Sequence, residues 1–189
     1  VIQIATDTSL FLKGISSKGC QDTDDVTLSN GSPAVDAGIN DTICQGETVI
    51  LTAQNVTTTI PVTYSWTPTA YILNGAQTSQ AVAQPPTSMW FYVQAISPAF
   101  CVAIDSVFVL VDSLHVTLSQ MDVSCNGLCD GSASLGVVGS IGSNTISWSN
   151  GSTSLAVNGL CAGDYWVQGV DSVGCDTLIN FTILEPPAI

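Results

Sequence analysis

The chain has 189 residues, of which two are basic and fifteen acidic, giving a net charge of −13 at pH 7. With Lys13 and Lys18 as its only Lys or Arg residues, it cannot neutralise a run of phosphates, which excludes nucleic acid and disfavours an anionic membrane surface. Hydrophobic residues make up 46% of the chain, enough for sizeable cores, yet the longest apolar run, Val107 to Val111, falls far short of the ~18 residues of a membrane helix.

The acids are nearly all Asp, which suits turns and loops; Glu47 and Glu185 alone are of the helix-favouring kind. The opening segment, Leu10 to Leu28, alternates apolar and polar residues, turns at Ser16 to Gly19, passes Cys20 and alternates again. It reads as the closing hairpin of a β module. The same pattern returns at Phe91 to Val109 around Cys101 and at Asp164 to Ile183 around Cys175. Recurrence at roughly 75–80 residues marks tandem modules. Residues 1–34 are therefore expected to be the last strands of a module whose front precedes the sequence. Residues 35–112 form one complete module and residues 113–189 a second. The linkers, Ser32-Pro33-Ala34 and the run near Asp112-Ser113, are short and imply semi-rigid end-to-end packing.

Within the two complete modules Cys44 precedes Trp66 and Cys101, and Cys125 precedes Trp148 and Cys175. Val62, Tyr64 and Trp66 alternate with polar residues, as do Ile146 and Trp148, so each Trp sits on a strand with one face inward. Cys…Trp…Cys on such strands is the immunoglobulin-like sandwich signature. The expected fold class is all-β: tandem immunoglobulin-like or PKD-like β-sandwiches, stapled by disulfides.

Seven cysteines without a CxxC pair, and with a lone His115, point to disulfides in an oxidising compartment rather than zinc. The expected bridges are Cys44–Cys101 and, by parallel spacing, Cys125–Cys175, each joining the two sheets of its module. That leaves Cys129–Cys161; four cysteines allow three connectivities, so this pairing rests on equivalence of position. Cys20 occupies the place of Cys101 and Cys175, and its partner is expected upstream of Val1. A bridge closing ~50 residues contributes on the order of 4 kcal/mol in the chain-entropy model. Cores of modules this small supply only ~3–5 kcal/mol.

Residues ~116–187 resemble the SprB-type repeat of gliding adhesins of the Bacteroidota. The likeness is carried by Cys125-Asn126-Gly127, Cys129-Asp130-Gly131, Trp148-Ser149-Asn150-Gly151, Gly159-Leu160-Cys161-Ala162-Gly163-Asp164-Tyr165, Gly174-Cys175 and Glu185-Pro186-Pro187. The family's usual Gly-Gly-x-Pro-Tyr before the Trp strand is here Gly139-Ser140-Ile141-Gly142-Ser143. The preceding module resembles PKD-like or immunoglobulin-like repeats through Asp36-Ala37-Gly38, Asp41-Thr42-Ile43-Cys44-Gln45-Gly46, Trp66-Thr67-Pro68 and the Cys101 hairpin. The resemblance implies a very large bacterial surface protein, attached to the outer membrane, exported by type IX secretion, with adhesive or gliding roles.

No catalytic constellation is legible. His115 has no nucleophile motif around it, and the acids lie mostly in expected turns, so the chain is read as no enzyme. No cofactor is expected except a candidate calcium ion at Asp22, Asp24, Asp25, Asp36 and Asp41, which cluster after Cys20 and around the first linker. Solvated turns and strand edges are the simpler account of those acids. Trp90-Phe91-Tyr92 and Tyr165-Trp166 put aromatics on both faces of a strand; an outward ring could stack on a surface glycan, or pack against a neighbouring module. Asp-Ser/Thr-apolar triplets place candidate O-glycosylation at Thr42, Ser106, Ser113, Ser172 and Thr177, and Asn-x-Ser/Thr occurs at Asn40, Asn55, Asn150 and Asn180. The expected partners are neighbouring modules of the same chain, with surface glycans or other cell-surface proteins as candidates beyond it. The reading is a non-enzymatic structural or adhesive segment of a giant adhesin. The alternatives are a subunit of an extracellular filament or sheath, and a carbohydrate-binding accessory of a secreted enzyme.

Overall fold

The computed structural model describes residues 8–28, 32–57 and 60–188, with the backbone alone at 27 and 28. Part of the expected leading fragment, residues 1–7 and 29–31, lies outside the described residues. The chain is all-β, and its strands fall into three sets.

The first set is a lone antiparallel hairpin of β1 (Thr8–Ile15) and β2 (Gln21–Leu28), with Leu10 opposite Val26 and Leu12 opposite Asp24. Its apolar side chains stand exposed, Leu12 at 73% and Val26 at 54%. A two-stranded hairpin is marginal alone in water.

The second set spans β3 (Val35–Asp36), β4 (Asp41–Cys44), β5 (Val49–Thr52), β6 (Gln54–Asn55), β7 (Thr63–Thr67), β8 (Ile72–Asn74), β9 (Gln80–Ala83), β10 (Met89–Ile96) and β11 (Val102–Asp112). One sheet has the order β4-β11-β10-β7, the other β5-β9-β8, with β3 paired to β6. Strand β4 runs parallel to the end of β11, with Cys44 beside Asp112. Alternation does the rest: Phe91 and Val93 on β10, with Val107 and Val109 on β11, face Leu51 and Ala83 from the other sheet. Trp66 is fully buried at their centre and donates its indole N–H to the Thr78 carbonyl at 3.1 Å.

The third set repeats this plan with β12 (His115–Met121), β13 (Gly131–Val138), β14 (Thr145–Trp148), β15 (Ala156–Leu160), β16 (Gly163–Val170) and β17 (Asp176–Ile183). The sheets are β12-β13-β15 and β14-β16-β17, the strand arrangement of a small immunoglobulin-like sandwich. Trp148 is buried between them, donates to the Ser154 carbonyl at 2.7 Å and meets Phe181 edge-on. The two cores are separate clusters, and two residues separate β11 from β12.

The inter-sheet bridges expected from sequence do not form. Cys101 sits just before β11, whereas Cys44 pairs alongside its last residue, Asp112. Eleven residues at ~3.3 Å each put the two cysteines ~35 Å apart along the sheet. The pairing Cys125–Cys175 fails for the same reason. Cys175 precedes β17, while hydrogen bonds from Val123 to Leu184 and from Gly127 to Glu185 hold the Cys125 loop at that strand's far end. In both modules, packed apolar side chains stand against the Trp where a mid-sheet bridge was expected.

Trp66→Ala is expected to cost the second module about 3–5 kcal/mol, as large core truncations do. Urea unfolding followed by near-ultraviolet circular dichroism checks this, with the transition of the Trp148 module unmoved.

Candidate functional site: a stapled junction between two modules

Each closing hairpin turns through the same five-residue loop. The amides of Ser16, Ser97 and Asp171 donate to the carbonyls of Cys20, Cys101 and Cys175. In return each cysteine's amide donates to the side chain of that Ser or Asp, at 3.0, 3.3 and 2.9 Å. The residue before the cysteine has positive φ in all three: Gly19, Phe100 and Gly174. Glycine adopts that conformation without a Cβ penalty; Phe100 is the one non-glycine residue with positive φ among the described residues. The loop presents its cysteine at the end of the module rather than in its core.

In the last module that end meets the bottom of the module before it. Cys175 is bonded to Cys44, with Cα atoms 5.5 Å apart and 131 residues of separation. Beside the bond the Ile141 amide of the last module donates to Asp112 Oδ2 of the module before it at 3.2 Å. Bonds within each module brace that contact: the Gln45 amide donates to the Asp112 carbonyl at 2.7 Å, Thr177 to the Leu114 carbonyl at 3.4 Å and Ser172 to the Ile141 carbonyl at 2.7 Å. Gly139 has φ 80°, and a Cβ there would strike the Ser113 carbonyl, so the loop after β13 lies hard against the linker. The second disulfide, Cys129–Cys161, stays within the last module.

Behind Cys175 two carboxyl groups are buried together, Asp112 at 1% and Asp171 at 7% exposure. Asp171 Oδ1 accepts the amides of Val173, Gly174 and Cys175, each at 2.9 Å. Asp112 Oδ1 and Asp171 Oδ2 have no donor from any N–H or hydroxyl. Burial, and then the Asp171 carboxyl beside it, holds Asp112 above the ordinary carboxylate range. Burial also pushes Asp171 upward, but hydrogen bonding with Asp112 and the three amides outweighs it, leaving Asp171 below that range. The pair therefore holds one proton between them over a window that straddles the ordinary Asp value.

Among the described residues, Asp112, Asp171 and Cys175 form the one set of three acid or thiol residues within ligand distance of each other. It is a poor metal centre: the sulfur is already bonded to Cys44, and calcium takes about six to eight oxygens where two are free. The calcium candidates stand elsewhere and apart. Asp22, Asp24 and Asp25 lie exposed along β2; Asp36 and Asp41 are exposed in the second module. Four of them bond backbone amides close by: Asp22 to Thr23, Asp24 to Asp25, Asp36 to Gly38 and Asp41 to Thr42.

His115 is exposed at the start of β12. Of the consecutive aromatics, Phe91 enters the core, while Trp90 and Tyr92 are each 47% exposed on the outer face, where Trp90 tilts against Phe108 at 5.1 Å. Tyr165 stacks on Phe181 and Trp166 turns outward. Of the candidate glycosylation sites, Thr42 and Ser113 are exposed and Ser106 is half-buried. Ser172 and Thr177 donate their hydroxyls to the Ile141 and Leu114 carbonyls within the last module. Cys20, Cys101 and Cys125 are free.

Sequence reasoning missed the junction because spacing measures distance along the chain, not which end of a strand a residue occupies. The available signal was that these cysteines flank turns instead of alternating inside strands.

No protein-family model and no curated protein matches the chain. Solved structures do. The N-terminal eight Ig domains of Down Syndrome Cell Adhesion Molecule, isoform 1.30.30, align over 96% of this chain and 36% of theirs, at 11% identity and a TM-score of 0.60. The IG1+IG2 pair of DIP-gamma covers 80% of this chain and 96% of its own, at 13% identity and a TM-score of 0.43. Bovine butyrophilin covers 82% and 99%, at 11% and 0.40. The first establishes the immunoglobulin-like fold, and this chain spans about a third of that protein's eight-domain length.

Two predictions follow from the junction chemistry. A native pKa raised above the unfolded value stabilises fully below that value and is lost as pH rises; a depressed one stabilises above it and is lost as pH falls. Asp112→Asn replaces the shared proton by a permanent amide donor to Asp171. The thermal midpoint at pH 7 should rise, and the gain should vanish near pH 4, where the parent supplies its own proton; scanning calorimetry from pH 4 to 8 checks this. Calcium added in the same scans should leave the midpoint unmoved.

Proposed function

We propose that the chain is a non-enzymatic structural and adhesive segment of a large cell-surface protein, in which successive sandwiches are locked end to end to transmit tension. The observation that carries this reading is the Cys44–Cys175 bond across the junction. A pull applied at the two ends of the chain would run through that bond and bypass the 131 residues of separation it spans. An enzyme scaffold gains nothing from such a bypass; a stalk or tether does. The disulfides also favour an oxidising, extracellular setting.

No helix among the described residues is long and apolar enough to cross a membrane. The likeness of residues ~116–187 to SprB-type repeats supports a giant gliding adhesin of the Bacteroidota exported by type IX secretion. The half-exposed Trp90 and Tyr92 offer a face for glycans or another surface protein.

Antibody raised against this segment should label intact cells of its source and reduce their attachment to glass severalfold. Labelling only after permeabilisation would overturn the reading. Labelling without loss of attachment would leave a sheath or filament role in its place.

A further inference from the structure

The three free cysteines occupy the same two places as the bonded pair. Cys20 and Cys101 hold the hairpin-turn position of Cys175, with the same amide returned to a Ser or Asp four residues earlier and the same positive φ before the cysteine. Cys125 holds the position of Cys44. Both open a Cys-x-Gly turn whose glycine has positive φ, 88° at Gly46 and 79° at Gly127. In both the cysteine carbonyl accepts the amide three residues on, from Glu47 at 3.0 Å and from Leu128 at 3.2 Å.

In both, the residue after the cysteine also bonds a carbonyl at or just past the end of the final strand of its module, the last residue of β11 in one and the third residue after β17 in the other. The Gln45 amide reaches Asp112 and the Asn126 side chain reaches Pro186. Asp112 and Pro186 each lie eleven residues beyond their hairpin cysteine, Cys101 and Cys175. The correspondence thus fixes one cysteine at the top of each module and one at the bottom. A top and a bottom cysteine meet where two modules abut, as Cys175 meets Cys44. Within one module they are ~35 Å apart along the sheet and cannot meet. Their positions leave Cys125 exposed, in a loop fastened by Ser124 to Asp130 and by Gly127 to Glu185.

We infer that Cys20, Cys101 and Cys125 are half-staples of a repeating disulfide ladder, each bonded to the opposite-type cysteine of an adjacent sandwich along the same polypeptide. Cys101 takes the Cys-x-Gly cysteine of the module that the β1–β2 hairpin closes. Cys20 takes that of the module before it. Cys125 takes the hairpin-turn cysteine of the module that follows. This rests on the array reading above and adds its covalent pattern. The hairpin fits such a module. Leu10 and Leu12 align with Phe91 and Val93 and with Tyr165 and Val167, and Val26 aligns with Val107 and Phe181, counted from the turn cysteine. Successive loops then overlap, because Cys101 lies inside the span closed by Cys44–Cys175. The array would carry two interleaved covalent rails.

Each bond forms by thiol–disulfide exchange with an oxidised dithiol oxidoreductase of the export compartment. One thiolate attacks the donor disulfide to give a mixed disulfide, and the second thiolate displaces the donor. The donor leaves as a dithiol carrying the two electrons, and the two cysteine protons pass to it through solvent.

The test is disulfide mapping of the native full-length protein, alkylated before any reduction and digested without reductant. The expected result is that none of the three cysteines is alkylated, and that each appears cross-linked to one cysteine of the opposite turn type in a neighbouring module. Alkylation of Cys101 or Cys125, or a bridge from either within its own module, would overturn the inference while leaving the array standing. A link between two chains, seen as a doubled mass lost on reduction, would overturn it too. A full-length chain without further sandwiches would remove the array reading itself, and the ladder with it.

Discussion

The length of a β-strand decides most of this structure. A sandwich whose final strand runs eight to eleven residues is ~25–35 Å long, and a cysteine in a turn at one end cannot reach a cysteine in a turn at the other. A side chain presented at the end of a module can bond only to what abuts that end. Cys175 therefore bonds outward, to Cys44 of the preceding sandwich. The neighbouring features serve the same contact: Asp171 orients the turn through three amides, Gly139 admits the linker, and Asp112 closes the gap beneath.

The cores need no help of this kind from the cysteines. Each is organised by one buried Trp whose ring fills the space between sheets and whose N–H finds a loop carbonyl. A disulfide across either core would add little packing; between modules it removes a hinge. The buried carboxyl pair acts in the same place and in a graded way, tightening the junction where one proton is shared and loosening it when that proton is lost.

The sandwich class was legible in the sequence because alternation is local. Val62, Tyr64 and Trp66 declare their face without knowledge of the rest, and the hairpin around Cys101 declares its partner strand through its turn. The repeat was legible for the same reason, three loops with one cysteine each. The pairing of those cysteines was not. A pattern of Cys…Trp…Cys matches the immunoglobulin signature in order and spacing, but it carries no information on whether a cysteine is mid-strand or at an end. Cys44 lies one residue past the buried Ile43, at the point where β4 runs out. The carboxyl pair was illegible because Asp112 and Asp171 belong to different modules and are joined only by the docking that the disulfide fixes. The calcium candidates were chosen for nearness in sequence, and strands that separate faces and modules scatter them.

The central claim is that the two sandwiches are one covalent unit under tension. Pulling single molecules by their ends, with and without reductant, tests it most directly. With the Cys44–Cys175 bond intact, only 58 residues can be drawn out, the 189 of the chain less the 131 of separation the bond spans. At ~3.6 Å per residue that is about 200 Å, and nearly 700 Å should become available once both disulfides are reduced. An unreduced chain that extends far past about 200 Å, towards the roughly 560 Å that the Cys129–Cys161 bond alone would allow, would contradict the account.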